Sequence, residues 1–273
     1  LAINPKVVKV LRQLGAILGE QKHYEDAWAV LQAALENAPE DADTLQAMAS
    51  YHAKQEHWSE VEVWLRRALE IKPDYAEAHS NLGVTLKELG RLDEAESSYR
   101  RALEIKPDFA EAHSNLGNTL KELGQLDEAE TSYRRALQIK PDFVDALNSL
   151  ALLFNEQGKS MMALNTIKQS LQIKETGKAK SIFVACVKRL RCSHDDSEIR
   201  IAMVRALTEP WGRPSDLARI GIELVKLNPD IGGCAARATG AWPLRLSAQD
   251  LFGSNGLATL AADPLLCTLL NSV

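Results

Sequence analysis

The oily and polar positions of this chain alternate in short, regular stretches. Ala78, Leu82, Leu86 and Leu89 are spaced by threes and fours, as are Leu92, Ala95, Tyr99, Ala102 and Leu103. Such spacing puts each set on one face of an α-helix. Gly90 separates the two sets, and Pro73 and Pro107 bracket them. The pattern predicts a helical hairpin: two helices, a tight turn between them and a proline stop at each end.

The same hairpin is written twice. Pro73–Lys106 and Pro107–Lys140 differ at five of 34 positions, and the phrase AEAHSNLG stands at both Ala76–Gly83 and Ala110–Gly117. A fixed period of this length points to stacked repeats. The punctuation agrees. Pro73 and Pro107 end one helix, and Asp74 and Asp108 are expected to cap the next, with Glu77 and Glu111 completing a capping box. Gly90 and Gly124 are expected in the left-handed conformation that closes a helix. Gly83, Ala95 and Ala102, and again Gly117, Ala129 and Ala136, are small where two helices must approach closely, so that a bulky side chain there would overpack the hairpin.

With small, large and proline positions at these spacings, the array resembles tetratricopeptide (TPR) repeats. Extending the frame gives five: 8–41, 42–75, 76–109, 110–143 and 144–177. The first carries Leu11, Leu14, Gly15, Ala27, Leu31, Ala34 and Pro39, and the second Leu45, Met48, Ala49, Leu65, Ala68 and Pro73. The fifth keeps Leu147, Leu150, Ala151, Gly158 and Ala163 but loses its final alanine to Ser170 and its closing proline to Glu175. The expected fold class is all-α: a right-handed α-solenoid of TPR helical hairpins, followed over 178–273 by an irregular helical C-terminal region. The resemblance implies that the first helix of each repeat lines a concave groove able to bind an extended peptide or a partner protein.

Candidate groove residues follow from the open side of those helices. They are Glu77, Ser80, Asn81, Val84 and Lys87 in one repeat, and Glu111, Ser114, Asn115, Asn118 and Lys121 in the next, with Lys9, Arg12 and Gln13 upstream and Asn148 downstream. Asn81 and Asn115 stand at one height, and a side-chain amide can both donate to and accept from a peptide backbone. The TPR superhelix of the O-linked N-acetylglucosamine transferases has such an asparagine ladder, and the resemblance implies a similar use here. The alternative is that asparagine only serves the helix geometry at this place. The ladder is interrupted by Gln13, Ala47 and Ser149. The carboxylate clamp of chaperone-binding relatives is not expected, because no Lys, Asn and Arg set completes what Lys9 and Arg12 begin. His79 and His113 fall where an aromatic usually packs, and the pairs Arg100-Arg101 and Arg134-Arg135 are expected on an outward, solvated face.

The last third differs in character. Residues 178–273 carry a formal +3 and the first 177 carry −8, for a total of −5. Ile182, Phe183, Cys186 and Leu190 form one helical face expected to cover the end of the array. Further helices are expected at Glu198–Leu207, Ser215–Leu227, Ala248–Phe252 and Leu257–Leu270, with Trp211 as a packing anchor and a loop over Ile231–Gly240. The phrases EPWGRP and DPLLCTLL resemble the helical connector that precedes the S-adenosylmethionine-dependent methyltransferase domain of some bacterial TPR proteins. The chain begins at Leu1 and stops within an apolar helical pattern, which suggests a piece of a longer protein.

Composition removes several classes of function. A net charge of −5 gives no footprint for nucleic acid or an anionic membrane. No leader opens the sequence and no run of 18 apolar residues occurs, so neither a signal peptide nor a membrane span is expected. Cys186, Cys192, Cys234 and Cys267 include no tight pair, as in a reduced, cytoplasmic protein. Cys192, His194, Asp195 and Asp196 are neighbours in sequence but make no triad, and two ligands are too few for structural zinc. Gly253-Ser254-Asn255-Gly256 lacks the lysine of a phosphate loop. No cofactor, metal or catalytic residue is expected. The leading expectation is a non-catalytic protein-interaction scaffold. Two alternatives remain: the substrate-recruiting arm of a methyltransferase or glycosyltransferase whose catalytic domain lies elsewhere, and self-association through the solenoid ends.

Overall fold

The computed structural model describes residues 5–190, 197–209, 211–212, 214–228, 231, 233, 236 and 262–272. All the elements among them are helices. The chain divides into two compact units, 1–146 and 147–273.

In the first unit eight helices follow one another: α1 (Pro5–Glu20), α2 (Tyr24–Asn37), α3 (Ala42–Ala53), α4 (Trp58–Ile71), α5 (Ala76–Glu88), α6 (Leu92–Ile105), α7 (Ala110–Glu122) and α8 (Leu126–Ile139). They pack as pairs, α1 on α2 through α7 on α8, and each pair lies against the next through α2 on α3, α4 on α5 and α6 on α7. First helices also meet directly, α1 with α3 and α5 with α7.

Each hairpin closes in one way. The amides of His23, His57, Arg91 and Gln125 donate to the carbonyls of Leu18, His52, Leu86 and Leu120 at 2.8–3.1 Å. That bond needs a left-handed residue just before it. Gly90 and Gly124 supply it at φ +76° and +79°, whereas Lys22 and Glu56 take the same place in the first two hairpins at φ +63° and +60°. Small residues mark the closest approach of the two helices. A Cβ on Gly83 would lie 2.7 Å from the Tyr99 ring, and one on Gly117 equally close to Tyr133. Both tyrosines are buried, with at most 1% of their surface exposed.

The expected capping box does not form. α5 and α7 start at Ala76 and Ala110, so Tyr75 and Phe109 hold the cap positions and offer no side-chain acceptor. The Pro-Asp turn occupies the residues before them, and Glu77 and Glu111 reach Lys106 and Lys140 instead. Asp41 does cap α3, accepting from the Thr44 amide at 3.0 Å.

α1 carries a second apolar stripe. Val10, Leu14 and Ile17 are 60%, 42% and 52% exposed, and Val7 is 47% exposed. At the equivalent places Ala78, Leu82 and Thr85 are buried, as are Ala112, Leu116 and Thr119.

The division between the units falls within α9 (Val144–Glu156). The second unit continues with α10 (Ser160–Ile173), α11 (Gly177–Arg189), α12 (Ser197–Thr208), α13 (Pro214–Lys226) and α14 (Pro264–Ser272). α11 packs on α10 with Ile182, Phe183, Cys186 and Leu190 buried, the face read from the sequence. Burial pushes the Cys186 thiol up to about 11, which leaves it a packing group rather than a nucleophile. Trp211 meets Phe183 edge to face at 5.4 Å, and its indole N–H donates to Glu209 at 2.5 Å.

Within the helix expected over 257–270, α14 covers the part from Pro264, and residues 257–261 lie outside the described residues. Asp263 accepts from the amides of Leu265 and Leu266 at 3.0 Å, and Pro264 takes the first helical position. In the expected loop over 231–240, the described residues Ile231, Gly233 and Ala236 are helical. Ile231 is buried, and Ala236 lies in an alanine-rich stretch whose composition favours helix. The expected helix at 248–252, the cluster at Cys192–Asp196 and the turn at Gly253–Gly256 lie outside the described residues.

Replacing Gly83 by leucine is expected to lower stability by roughly 1–3 kcal/mol, because the ring beside it has no room to give. Chemical denaturation followed by circular dichroism measures it, and an unchanged midpoint would show that the helices do not depend on this contact.

Candidate functional site

The first helices of the hairpins, α1, α3, α5 and α7, present the residues read as a groove. On α5 and α7, Asn81 and Asn115 sit half-buried at equivalent places. Their backbone carbonyls accept from the hydroxyls of Thr85 and Thr119 at 2.8 and 3.1 Å. Among the described residues, no hydrogen bond engages either side-chain amide. Val84 stands one turn further on, and its counterpart Asn118 is committed to Tyr133, whose hydroxyl donates to it at 2.8 Å.

The charged candidates are largely tied down. Lys87 pairs with Glu122 across repeats at 2.8 Å, and Lys121 is likewise engaged. Glu77 lies 2.9 Å from Lys106, and Glu111 3.5 Å from Lys140. The two lysines also cover the rings of Phe109 and Phe143, at 4.6 and 5.1 Å. The hydrogen bond from Lys106 outweighs burial and holds the Glu77 carboxyl below its ordinary value. Arg12 is spent on Asp41 and Asp43, at 2.8 and 3.1 Å. Lys9 and Gln13 are exposed.

Three candidates are not on an open surface. Ser80, Ser114 and Asn148 are 4%, 2% and 1% exposed. A small hydroxyl at this place is covered as neighbouring helices close over it. Asn148, in the second unit, accepts from the Ser170 hydroxyl at 2.7 Å. Ser170 therefore replaces the alanine of earlier repeats as a partner for a buried amide, not as a decayed packing position.

Sequence reading also missed a hollow of about 530 Å³ between α1 and α3. Gly15, Ala16, Gly19 and Ala47 border it, with Gln46, Tyr51 and Tyr75 among its other walls. The Tyr75 hydroxyl donates to Asp43 at 2.8 Å, and burial together with this bond pushes its phenol well above the usual range. A neighbouring hollow of about 160 Å³ joins Ser50 and Ala53 to Asn81 and Val84. The signal was present in the sequence as small residues at groove positions in the first two repeats.

The second helices make a different surface. Two clefts recur one repeat apart, of about 460 and 640 Å³, with His79 and Arg101 in one and His113 and Arg135 in the other. The histidines serve the turns: their Nε2 atoms lie 2.8 and 2.9 Å from the carbonyls of Pro73 and Pro107. Burial lowers the His113 pKa. Arg100 is paired with Glu96 and Glu128, and Arg101 with Glu104. Arg91 bridges Glu62 and Glu94. Among the described residues no group of three or more His, Cys, Asp or Glu could hold a metal ion, and no helix is long and apolar enough to cross a membrane.

Paired helices stacked at a 34-residue step, with a tyrosine laid on a glycine in each near-copy, define a helical-repeat protein. Family models described as TPR repeat match residues 63–90 and 85–124, and models described as tetratricopeptide repeat match 110–143 and 132–165. Residues 63–165 therefore carry tetratricopeptide repeats. Among solved structures, the chain is similar to PilW, a widely conserved type IV pilus biogenesis factor, at 24% identity over 68% of this chain and 87% of that one, with a TM-score of 0.63. It is similar to PilF of Pseudomonas aeruginosa at 19% identity over 82% and 93%, with a TM-score of 0.64. YrrB, described as a TPR protein with an unusual peptide-binding site, shares 21% identity over 62% and 88%, with a TM-score of 0.51. These likenesses establish the fold. No curated protein matches the sequence.

The ion pairs of the second helices have an acid signature. Burial pushes the Glu62 carboxyl up, but hydrogen bonds and charge from Arg66 and Arg91 outweigh it and hold it below its ordinary 4.5. A depressed folded value means that the contribution is complete above the unfolded value and lost as pH falls through the folded one. Melting temperature measured from neutral pH down to about pH 2 should therefore fall less steeply in Glu62→Gln than in the parent. Parallel curves would exclude Glu62 as a contributor.

Proposed function

We propose that this chain is a non-catalytic interaction scaffold that holds an extended segment of a partner protein along the face formed by α1, α3, α5 and α7. The observation that carries this reading is the pair Asn81 and Asn115. Two side-chain amides, one repeat apart and with no internal hydrogen bond, are placed to donate and accept along a peptide backbone. Around them Lys87, Glu77 and Glu111 are neutralised by fixed partners, so the face selects through backbone contacts and shape more than through charge. The buried thiol of Cys186 forms no disulfide, as suits a reducing, cytoplasmic setting.

The exposed stripe Val7, Val10, Leu14 and Ile17 favours a second reading for one end of the array. Apolar positions that later repeats bury against a neighbouring hairpin are here able to meet a second copy of the chain.

Replacing Asn81 and Asn115 together by alanine is expected to weaken binding of a peptide selected from a random display library by about tenfold, the worth of one or two hydrogen bonds. The melting temperature should hardly move, since neither amide is used internally. Unchanged affinity would remove these residues from the function. For the end face, sedimentation velocity across rising concentration is expected to show a dimer that Leu14→Lys abolishes. A parent protein that stays monomeric throughout rejects that contact.

A further inference from the structure

α5 and α7 have the same sequence but for one position: Val84 on α5 stands where Asn118 stands on α7. That single difference changes what the tyrosine behind it can do. In the fourth repeat the Tyr133 hydroxyl donates to Asn118 Oδ1 at 2.8 Å. In the third, valine offers no acceptor, and among the described residues the Tyr99 hydroxyl has no hydrogen bond.

The hydroxyl is fixed and held in reserve. Tyr99 is only 1% exposed, and its ring is pressed against Gly83, so the oxygen cannot swing away to find a partner. Nor is it sealed: among the described residues, the wholly buried polar atoms that lack a partner belong to Gln46, His52, Asn155 and Gln157, which leaves the Tyr99 oxygen at the surface end of its side chain. Tyr133 shows which way that end points, toward the groove position of the helix in front of it. The charges that act on the Tyr99 phenol agree, being Glu88 on α5 and Glu122 on α7; together with burial, the largest cause, they push it well above the usual range. The phenol therefore keeps its proton and serves as a donor. A donor held in place without an acceptor is costly, and it specifies what would satisfy it. An anionic acceptor would be repelled by the same two carboxylates. A cation drawn to the exposed Glu88 would meet that carboxylate in open solvent and has no use for a donor. A neutral carbonyl fits.

We propose that the Tyr99 hydroxyl is a ligand-binding group of the groove and donates to a main-chain carbonyl of the bound peptide, one helical turn from the Asn81 amide. The proposal rests on the peptide-binding reading above and sets its register. Asn81 and Asn115 are alike, but only the third repeat adds a free phenol to its asparagine, because Asn118 has already claimed the phenol of the fourth. The peptide is held by two groups at the third repeat and by one at the next.

The test uses the full chain, with ¹³C at Cζ of its tyrosines and uniform ¹⁵N, and N-acetyl-tetraalaninamide as the probe, a peptide whose side chains neither donate nor accept. A saturable shift of the Tyr99 Cζ resonance is expected, with Tyr133 unmoved. Tyr99→Phe keeps the ring on Gly83 and should weaken the probe about fivefold, while the melting temperature stays, since no internal bond is lost. Val84→Asn gives the third repeat the side chain of the fourth and should engage the hydroxyl internally, so that adding Tyr99→Phe in that background leaves affinity unchanged. A still Tyr99 resonance, a Tyr99→Phe variant that binds as the parent does, or equal losses from Tyr99→Phe in both backgrounds would each overturn the assignment. The side-chain amide resonances of Asn81 and Asn115 report the groove reading separately. Amides that shift while Tyr99 does not would keep the asparagine pair and remove the hydroxyl. A Tyr99 response that persists at full affinity in the Asn81→Ala, Asn115→Ala variant would do the reverse, and silence at both sites would remove both.

Discussion

A tyrosine ring pressed against a glycine holds the central hairpins shut, and the rest of the first unit depends on that contact. Gly83 and Gly117 leave no room for even one further carbon beside Tyr99 and Tyr133. Interiors packed this closely transmit small changes in volume directly into helix position. The spacing of α5 from α6 sets where α5 presents Asn81, and that of α7 from α8 sets Asn115. The separation of the two amides follows from packing on the far side of the helices that carry them.

The local grammar of the hairpins was legible in the sequence because it depends on residues a few places apart. Gly90 and Gly124 adopt the left-handed turn read from their position after the last periodic leucine. The apolar face of α11 is buried as its spacing required. What the sequence hid was set by partners a repeat away. Glu77 has the place of a capping-box residue, yet Lys106 lies 29 positions on and wins it. Ser80 and Ser114 read as polar surface, but whether a small hydroxyl meets water is decided by neighbouring helices. Asn148 and Ser170 make sense only as a pair, and a single chain shows no covariation to join them.

The phrase EPWGRP shows how a motif can be absorbed by structure. Glu209 takes hydrogen bonds from Lys180 and Trp211, which outweigh burial and hold its carboxyl down to about 2. Trp211 packs on Phe183 with Lys180 and Arg205 over its ring, at 5.0 and 5.5 Å. Both residues have full structural employment in joining α11 and α12, whatever resemblance first drew notice to them.

Lys22 and Glu56 hold a backbone shape that glycine adopts freely in the later hairpins, at a cost of roughly 1–2 kcal/mol for each residue that carries a Cβ. In a linear array whose units are steadied only by their neighbours, such a cost is not shared out along the chain. The first two hairpins carry this cost and the two that follow do not, so local opening is favoured at the turns of Lys22 and Glu56.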